Sequence, residues 1–313
     1  MKHFSHMQAL SAEEAAKNAV EGTAMFIAGG TDLLGTLKDE ILPSYPELVI
    51  DLKTIEGLDE IADEGDTLRI GALVKLADVA DSELVKQGCA ALAQAAGRVA
   101  SPTIRHMGTL GGNVCQMHRC WYFRVPDDRF HCKRKGGNYC PARIGDNRYH
   151  SIFGDEDGCF AASSHDTAPA LIALGATMVT TARELSAEEF FQTNGVRSCV
   201  LADDEVLTHI VVPKAEKSAF EKFALRKSID FPVVNCAVAQ TADGAVRVAM
   251  GGVAPSPMRS AAAEAVLAGG ITEESAAAAG DAAVAEAKPL SKNAYKVEIA
   301  RATVKRAALK LVG

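Results

Sequence analysis

Apolar positions along this chain fall into short blocks whose spacing changes twice. Met25-Phe26-Ile27-Ala28 and Leu48-Val49-Ile50-Asp51-Leu52 are compact apolar runs that predict buried strands. Ser11-Ala12-Glu13-Glu14 is a helix-start signature, followed by an Ala-rich continuation through Val20. A helix over 33–40 completes a first unit of strand, loop, helix and strand. Leu68-Arg69-Ile70-Gly71-Ala72 opens a second unit, with helices at about 75–81 and 89–100. After a long interruption the pattern resumes as a helix over 167–174 and strands over 177–181 and 205–212. Residues 213–217 read as a linker. Beyond them, 219–227, 233–241 and 245–250 alternate as antiparallel strands do. Helices at about 261–268, 273–287 and 297–311 follow. The pattern predicts an α+β protein: a larger domain over 1–213, with subdomains of about 1–55 and 56–213, then a smaller α+β domain over 214–313 with an antiparallel sheet backed by helices.

Between about 115 and 162 the pattern stops. The segment is rich in Gly, Asp, Asn and Arg and has no long apolar run, so hydrocarbon burial is a poor candidate for ordering it. It holds four of the chain's eight cysteines, Cys120, Cys132, Cys140 and Cys159, spaced C-x11-C-x7-C-x18-C. Four thiolates on one metal centre would supply the missing order. Such a set serves a 4Fe-4S cluster or a zinc ion equally well, although the tight C-x2-C knuckles favoured by zinc are absent. Residues 116–158 carry eight Lys or Arg against six Asp or Glu, in a chain whose formal net charge is −7. Local positive charge of this kind offsets an anionic iron–thiolate centre. Seven of the 17 aromatics, including Trp121, also lie there and would shield such a centre or simply pack the loop down. Cys89, Cys199 and Cys236 read as core residues, and Cys115 as a small buried residue held in reserve as a ligand. His118, His131, His150 and His165 read as polar loop histidines.

The acidic balance and scattered basic residues exclude an extended nucleic-acid surface; only Lys133-Arg134-Lys135 stands out as a basic run. No apolar stretch approaches the roughly 18 residues of a membrane span, and the N-terminus lacks a signal-peptide core. The expected location is the cytoplasm, with export only if carried by a partner.

Two glycine clusters remain. Ala28-Gly29-Gly30-Thr31-Asp32-Leu33 joins a strand to a helix, and Thr109-Leu110-Gly111-Gly112-Asn113 follows a helix and a turn. Each alone is an ordinary Gly-rich turn; together they suit backbone approach to phosphate. Neither is a nicotinamide or ATP-binding fingerprint. In this order and at this spacing the pair resembles the FAD-binding subunits of the molybdenum hydroxylases, the family of xanthine dehydrogenase, carbon monoxide dehydrogenase and aldehyde oxidoreductases. The resemblance extends through Ser164-His165-Asp166-Thr167-Ala168-Pro169-Ala170-Leu171, Phe223-Ala224-Leu225-Arg226 with Asp230-Phe231-Pro232, and Gly251-Gly252-Val253-Ala254-Pro255.

The resemblance implies a flavin between two N-terminal subdomains of the vanillyl-alcohol-oxidase type, closed over by the C-terminal domain. It implies that Ala28, Gly29, Gly30, Thr31, Asp32 and Leu33 wrap the diphosphate, with Thr109, Gly112 and Asn113 as a second phosphate contact. Asp166 would bond the adenosine ribose or nearby groups, Leu207 would pack on the isoalloxazine, and Lys222 would sit by its pyrimidine edge. Taken alone, Lys222 reads as a solvated strand lysine. The cysteine loop resembles that of two kinds of member with a 4Fe-4S cluster: the β subunit of 4-hydroxybenzoyl-CoA reductase and the FAD subunit of periplasmic aldehyde oxidoreductase. On that resemblance Cys120, Cys132, Cys140 and Cys159 are the cluster ligands. The implied partners are a large molybdenum-cofactor subunit, a small 2Fe-2S subunit and an external electron donor or acceptor. No acid–base dyad or nucleophile triad stands out, so an electron-transfer role is expected. A self-sufficient flavin oxidase and a zinc-stapled interaction module are the rivals.

Overall fold

The computed structural model describes all residues, 1–313, as three sheets. The first is parallel: β1 (Ser5–Gln8), β2 (Ala24–Ile27) and β3 (Leu48–Asp51), with β3 in the centre. Ser11 caps the helix Ala12–Asn18 by accepting from the Glu14 amide at 3.1 Å, and the turn after β2 enters the helix Leu33–Lys38. The second sheet contains β4 (Ile61–Asp63), β5 (Thr67–Gly71), β6 (Thr177–Thr180), β7 (Glu184–Ser186) and β8 (Leu207–Pro213). Its order is β4-β5-β8-β6-β7, every pair antiparallel.

The third sheet is β9 (Lys217–Phe223), β10 (Val234–Gln240), β11 (Val246–Gly251) and β12 (Met258–Arg259), antiparallel in the order β12-β11-β10-β9. Side chains alternate across a strand, and in β10 both faces are buried. Ala237 and Ala239 join the 37-residue main core around the second sheet and the helices Ala90–Gly97 and Thr167–Leu174. Val234, Cys236 and Val238 join a 21-residue core with the helices Ala261–Leu267, Glu273–Val284 and Tyr295–Leu309. Alanine and glycine bring those helices close: a Cβ at Gly280 would stand 2.6 Å from the Arg301 carbonyl oxygen.

The strands and helices expected from apolar blocks appear with ends shifted by a few residues. The third sheet's first strand starts earlier than expected and stops at Phe223, so 224–227 lie in a loop. The pattern missed β1, β4, β7, β12 and several short helices, Glu83–Gly88 and Pro102–Arg105 among them.

From Gln116 to Phe160 the chain forms neither strand nor α-helix, only three 3-10 turns at Pro126–Asp128, Lys133–Lys135 and Pro141–Arg143. It is nevertheless well tied to the body. Phe123 packs with Ile41 and Cys132 in a small core of its own. Ile152 belongs to the C-terminal core, and its amide donates to the Val253 carbonyl at 2.8 Å. Glu156 accepts from the Thr193 amide and hydroxyl and from Ser256 Oγ. Lys296, 1% exposed, donates to the carbonyls of His150 and Gly252, and Asn293 Nδ2 to those of His150 and Ser151. The basic run is not a solvated face, because Arg134 and Lys135 are buried. Replacing Ile152 with alanine removes the loop's main apolar anchor and should cost about 2–5 kcal/mol. A denaturant titration against the parent chain measures this.

Candidate functional site

The two glycine clusters lie side by side. A Cβ on Gly29 would fall 2.1 Å from the Met107 carbonyl oxygen, so only glycine lets these backbones meet. Gly30 has φ +71°, in the left-handed region that glycine enters without strain. The second cluster is pinned along residues 72–76: the Leu110 amide donates to the Val74 carbonyl, Gly111 to Ala72, and Leu76 to Gly108. Thr109 Oγ1 accepts from the Gly112 amide at 3.0 Å, and Asn113 Oδ1 from Thr167 Oγ1 at 2.6 Å. Thr31 and Gly112 are exposed, so the paired segments present open backbone to an incoming group. Ala28 and Leu33 flank this surface half-buried.

Asp32 turns the other way. Its Oδ1 accepts from Arg119 at 2.9 Å and Arg124 at 2.7 Å, and its Oδ2 from the Met117 amide at 2.9 Å. Burial pushes its carboxyl up, but Arg119, Arg124 and the Met117 amide together hold it below the usual value. Its carboxylate therefore binds the cysteine segment, and what it offers to a phosphate is backbone.

Residues 2–215 match the FAD binding domain of molybdopterin dehydrogenases, and residues 218–311 the C-terminal domain of CO dehydrogenase flavoproteins. The chain belongs to the FAD-binding subunits of the molybdopterin dehydrogenases. Among its relatives is the aldehyde oxidoreductase FAD-binding subunit of Escherichia coli, 35% identical over 97% of this chain and 96% of that one. The carbon monoxide dehydrogenase medium chain of Hydrogenophaga pseudoflava is 30% identical over 91% and 88%. The solved carbon monoxide dehydrogenase of that organism lacking the Mo-pyranopterin moiety aligns with 28% identity, TM-score 0.76, over 99% of this chain and 98% of that one. This flavin subunit has no helix long and apolar enough to cross a membrane.

The other residues expected at the flavin are placed differently. Leu207 is 5% exposed in the main core. Lys222 is no solvated strand lysine: its side chain is 2% exposed, and Nζ donates to Asp166 Oδ2 at 2.6 Å and to the Arg98 carbonyl at 2.9 Å. Asn235 Nδ2 donates to Asp166 Oδ1 at 3.0 Å. Burial still pushes the Asp166 carboxyl up despite these partners. Asp166, expected at the adenosine ribose or nearby groups, and Lys222, expected at the flavin, form one buried ion pair.

The four cysteines converge. Cys120, Cys132, Cys140 and Cys159 line one small cavity with Phe123, Arg134 and Pro141, although no three His, Cys, Asp or Glu groups are arranged to hold a single metal ion. The Ala161 amide donates to Cys159 Sγ at 3.4 Å, and nearby backbone amides favour the ionised form of Cys120, Cys132 and Cys140 against burial. His150 Nε2 lies 3.2 Å from Cys120 Sγ. Arg134 Nε donates to Cys159 Sγ at 3.4 Å, and its Nη1 to the carbonyls of Gly195 and Arg197. None of these is a carboxylate, so a guanidinium 6% exposed faces sulfur for its counter-charge. The Cys140 thiol's hydrogen bond and, against burial, Arg134 bring Cys159 down to about 6; burial pushes Cys120 up to about 12.

Cys115 is no reserve ligand. It packs against the main core, to which Cys199 belongs, and does not line the four-cysteine cavity. Nor are the loop histidines all solvent-facing, since only His131 is exposed. His118 Nε2 donates to the Pro255 carbonyl, and His165 lies among Ser163, Gln116 and Ser198. Burial lowers the pKa of both, His165 to about 4. Arg134 and His150 were missed as site residues; the basic run at 133–135 was the one signal for the former.

Beside the quartet, a cavity of about 550 Å³ opens between the loop and the C-terminal domain. Arg119, Cys120, Trp121, Tyr149 and His150 form one wall and the β9–β10 connection, from Leu225 to Val233, the other. In that connection Ile229 has φ +69°, a strained angle for a β-branched residue. Its amide donates to the carbonyl of Ala100, itself at φ +42°. Gly29→Ala should yield protein with no bound flavin, while Gly112→Ala, whose Cβ meets only Thr109 Oγ1 at 3.0 Å, should retain much of it. Flavin absorbance per chain measures both.

Proposed function

We propose that this subunit transfers electrons in a molybdenum hydroxylase, carrying FAD on the paired glycine segments and a 4Fe-4S cluster on Cys120, Cys132, Cys140 and Cys159. The observation that carries the cluster reading is the buried Arg134 guanidinium, whose sole anionic neighbour is a cysteine sulfur in a cavity lined by four. A neutral thiol set would leave that charge buried without compensation, at a cost of several kcal/mol. The amides around each sulfur suit thiolates rather than thiols. The four cysteines line one small cavity, and their wide spacing lacks the C-x2-C knuckles that zinc sites favour.

The backbone of Gly29 to Thr31, with the second glycine segment around Gly112 beside it, would hold the diphosphate. The roofed cavity leaves room for the flavin ring, with Arg119 at its edge and the Leu225–Val233 connection closing the far side. Leu207 would stiffen the wall from within the core, and the Lys222–Asp166 pair would act on the ring through field rather than contact. Bound flavin supplies the exchange between one-electron and two-electron steps. A large molybdenum-cofactor subunit would supply the substrate chemistry, with a small 2Fe-2S subunit relaying electrons to this one. An external carrier would complete the circuit.

Anaerobically purified protein should contain one FAD and about four irons per chain. Cys132→Ser and Cys140→Ser should each lose the iron and keep the flavin. One zinc, or no metal, would sink the cluster reading and leave a flavin subunit with a structural loop.

A further inference from the structure

We propose that His150 is a positioning residue for the four-cysteine centre: its Nε2–H donates to Cys120 Sγ and, through that sulfur, sets the centre's reduction potential. The proposal rests on the cluster reading above.

Three observations carry it. The imidazole is locked in place. Its ring, 2% exposed, stands edge-on to Trp121 at 5.7 Å and tilted against Tyr122 at 5.9 Å. Its carbonyl is held by Lys296 Nζ at 2.9 Å and Asn293 Nδ2 at 3.1 Å, and its amide by the Asn147 carbonyl at 3.0 Å. The backbone bonds fix where the ring starts, and the Trp121 and Tyr122 rings pack it on the side of the sulfur.

The tautomer follows from what surrounds the two nitrogens. Nδ1 is buried with no partner, while Nε2 lies 3.2 Å from Cys120 Sγ. A proton on Nδ1 would leave a buried donor unsatisfied and set the Nε2 lone pair against the electron-rich sulfur. Placing it on Nε2 satisfies the donor with an acceptor and removes that repulsion.

Position is the third observation. Cys120 is the only quartet member that also lines the 550 Å³ cavity, so its sulfur lies between the centre and whatever the cavity holds. Cys132 and Cys140 receive backbone donors alone, and the side-chain donor at Cys159, Arg134, also ties down Gly195 and Arg197. His150 is therefore the one donor that can be changed without touching backbone or the loop's attachment through Arg134. An N–H···S bond withdraws electron density from the ligand sulfur. That favours the more negative, reduced state and raises the potential.

The test uses the complete complex, purified anaerobically, with iron content and the cluster's midpoint potential measured by an EPR-monitored redox titration. His150→Met fills the space without a donor, His150→Gln restores an N–H, and Trp121→Phe alters the aromatic wall while leaving the donor. The expected result is iron retained in all three, a potential shifted negative in His150→Met, most of that shift recovered in His150→Gln, and none in Trp121→Phe. An unchanged potential in iron-replete His150→Met overturns the proposal. So does loss of iron from both His150 variants, which makes the residue structural. Iron absent from the parent protein removes the cluster reading itself and is distinguishable from either.

Discussion

A single carboxylate joins the two halves of this site. Asp32 leaves the first sheet at the end of the glycine turn, and its two oxygens take two guanidinium groups and one amide from the cysteine segment. The turn that presents backbone to a phosphate and the loop that gathers four sulfurs are thus fixed to each other through one side chain. Charge-assisted hydrogen bonds in a half-buried place are among the stronger polar contacts a protein makes. They act here where hydrocarbon is scarce.

The cysteine segment shows how forty residues become ordered without regular structure. Its own apolar contribution is small, centred on Phe123 and Ile152. Most of its attachment is polar and directed at backbone carbonyls: Arg134 toward Gly195 and Arg197, and Lys296 of the last helix with Asn293 just before it toward the loop. Long cationic side chains suit this work because one head group satisfies several carbonyls at once.

The sequence announced the parts of this structure that depend on local pattern. Buried strands such as β2 and β3 are short apolar runs, and the alternation in β10 and β11 marked a sheet with packed faces. β1 escaped notice because Ser-His-Met-Gln is polar and mostly exposed, and it becomes a strand only through pairing with β3. The clustering of four cysteines in an apolar-poor segment singled them out, and they line one cavity. What no spacing reveals is which distant group answers a charge. Lys222 looks like a surface residue until β9 pairs with β10, places it opposite Asn235, and brings both to Asp166. Arg134 finds its acceptors about sixty residues away. Such partners belong to tertiary structure, and local sequence carries no trace of them.

The doubly buried strand β10 has a mechanical consequence. Because Ala237 and Ala239 are packed into the main core while Val234 and Val238 serve the C-terminal one, the C-terminal domain is not a cover hung on residues 214–216. Swinging it open would peel a core apart, at a cost far above thermal energy. The Leu225–Pro232 connection, by contrast, contributes no residue to either core and can shift while both stay packed. Its left-handed Ile229, bonded to Ala100, makes such a shift a release of local strain rather than the swing of a hinge.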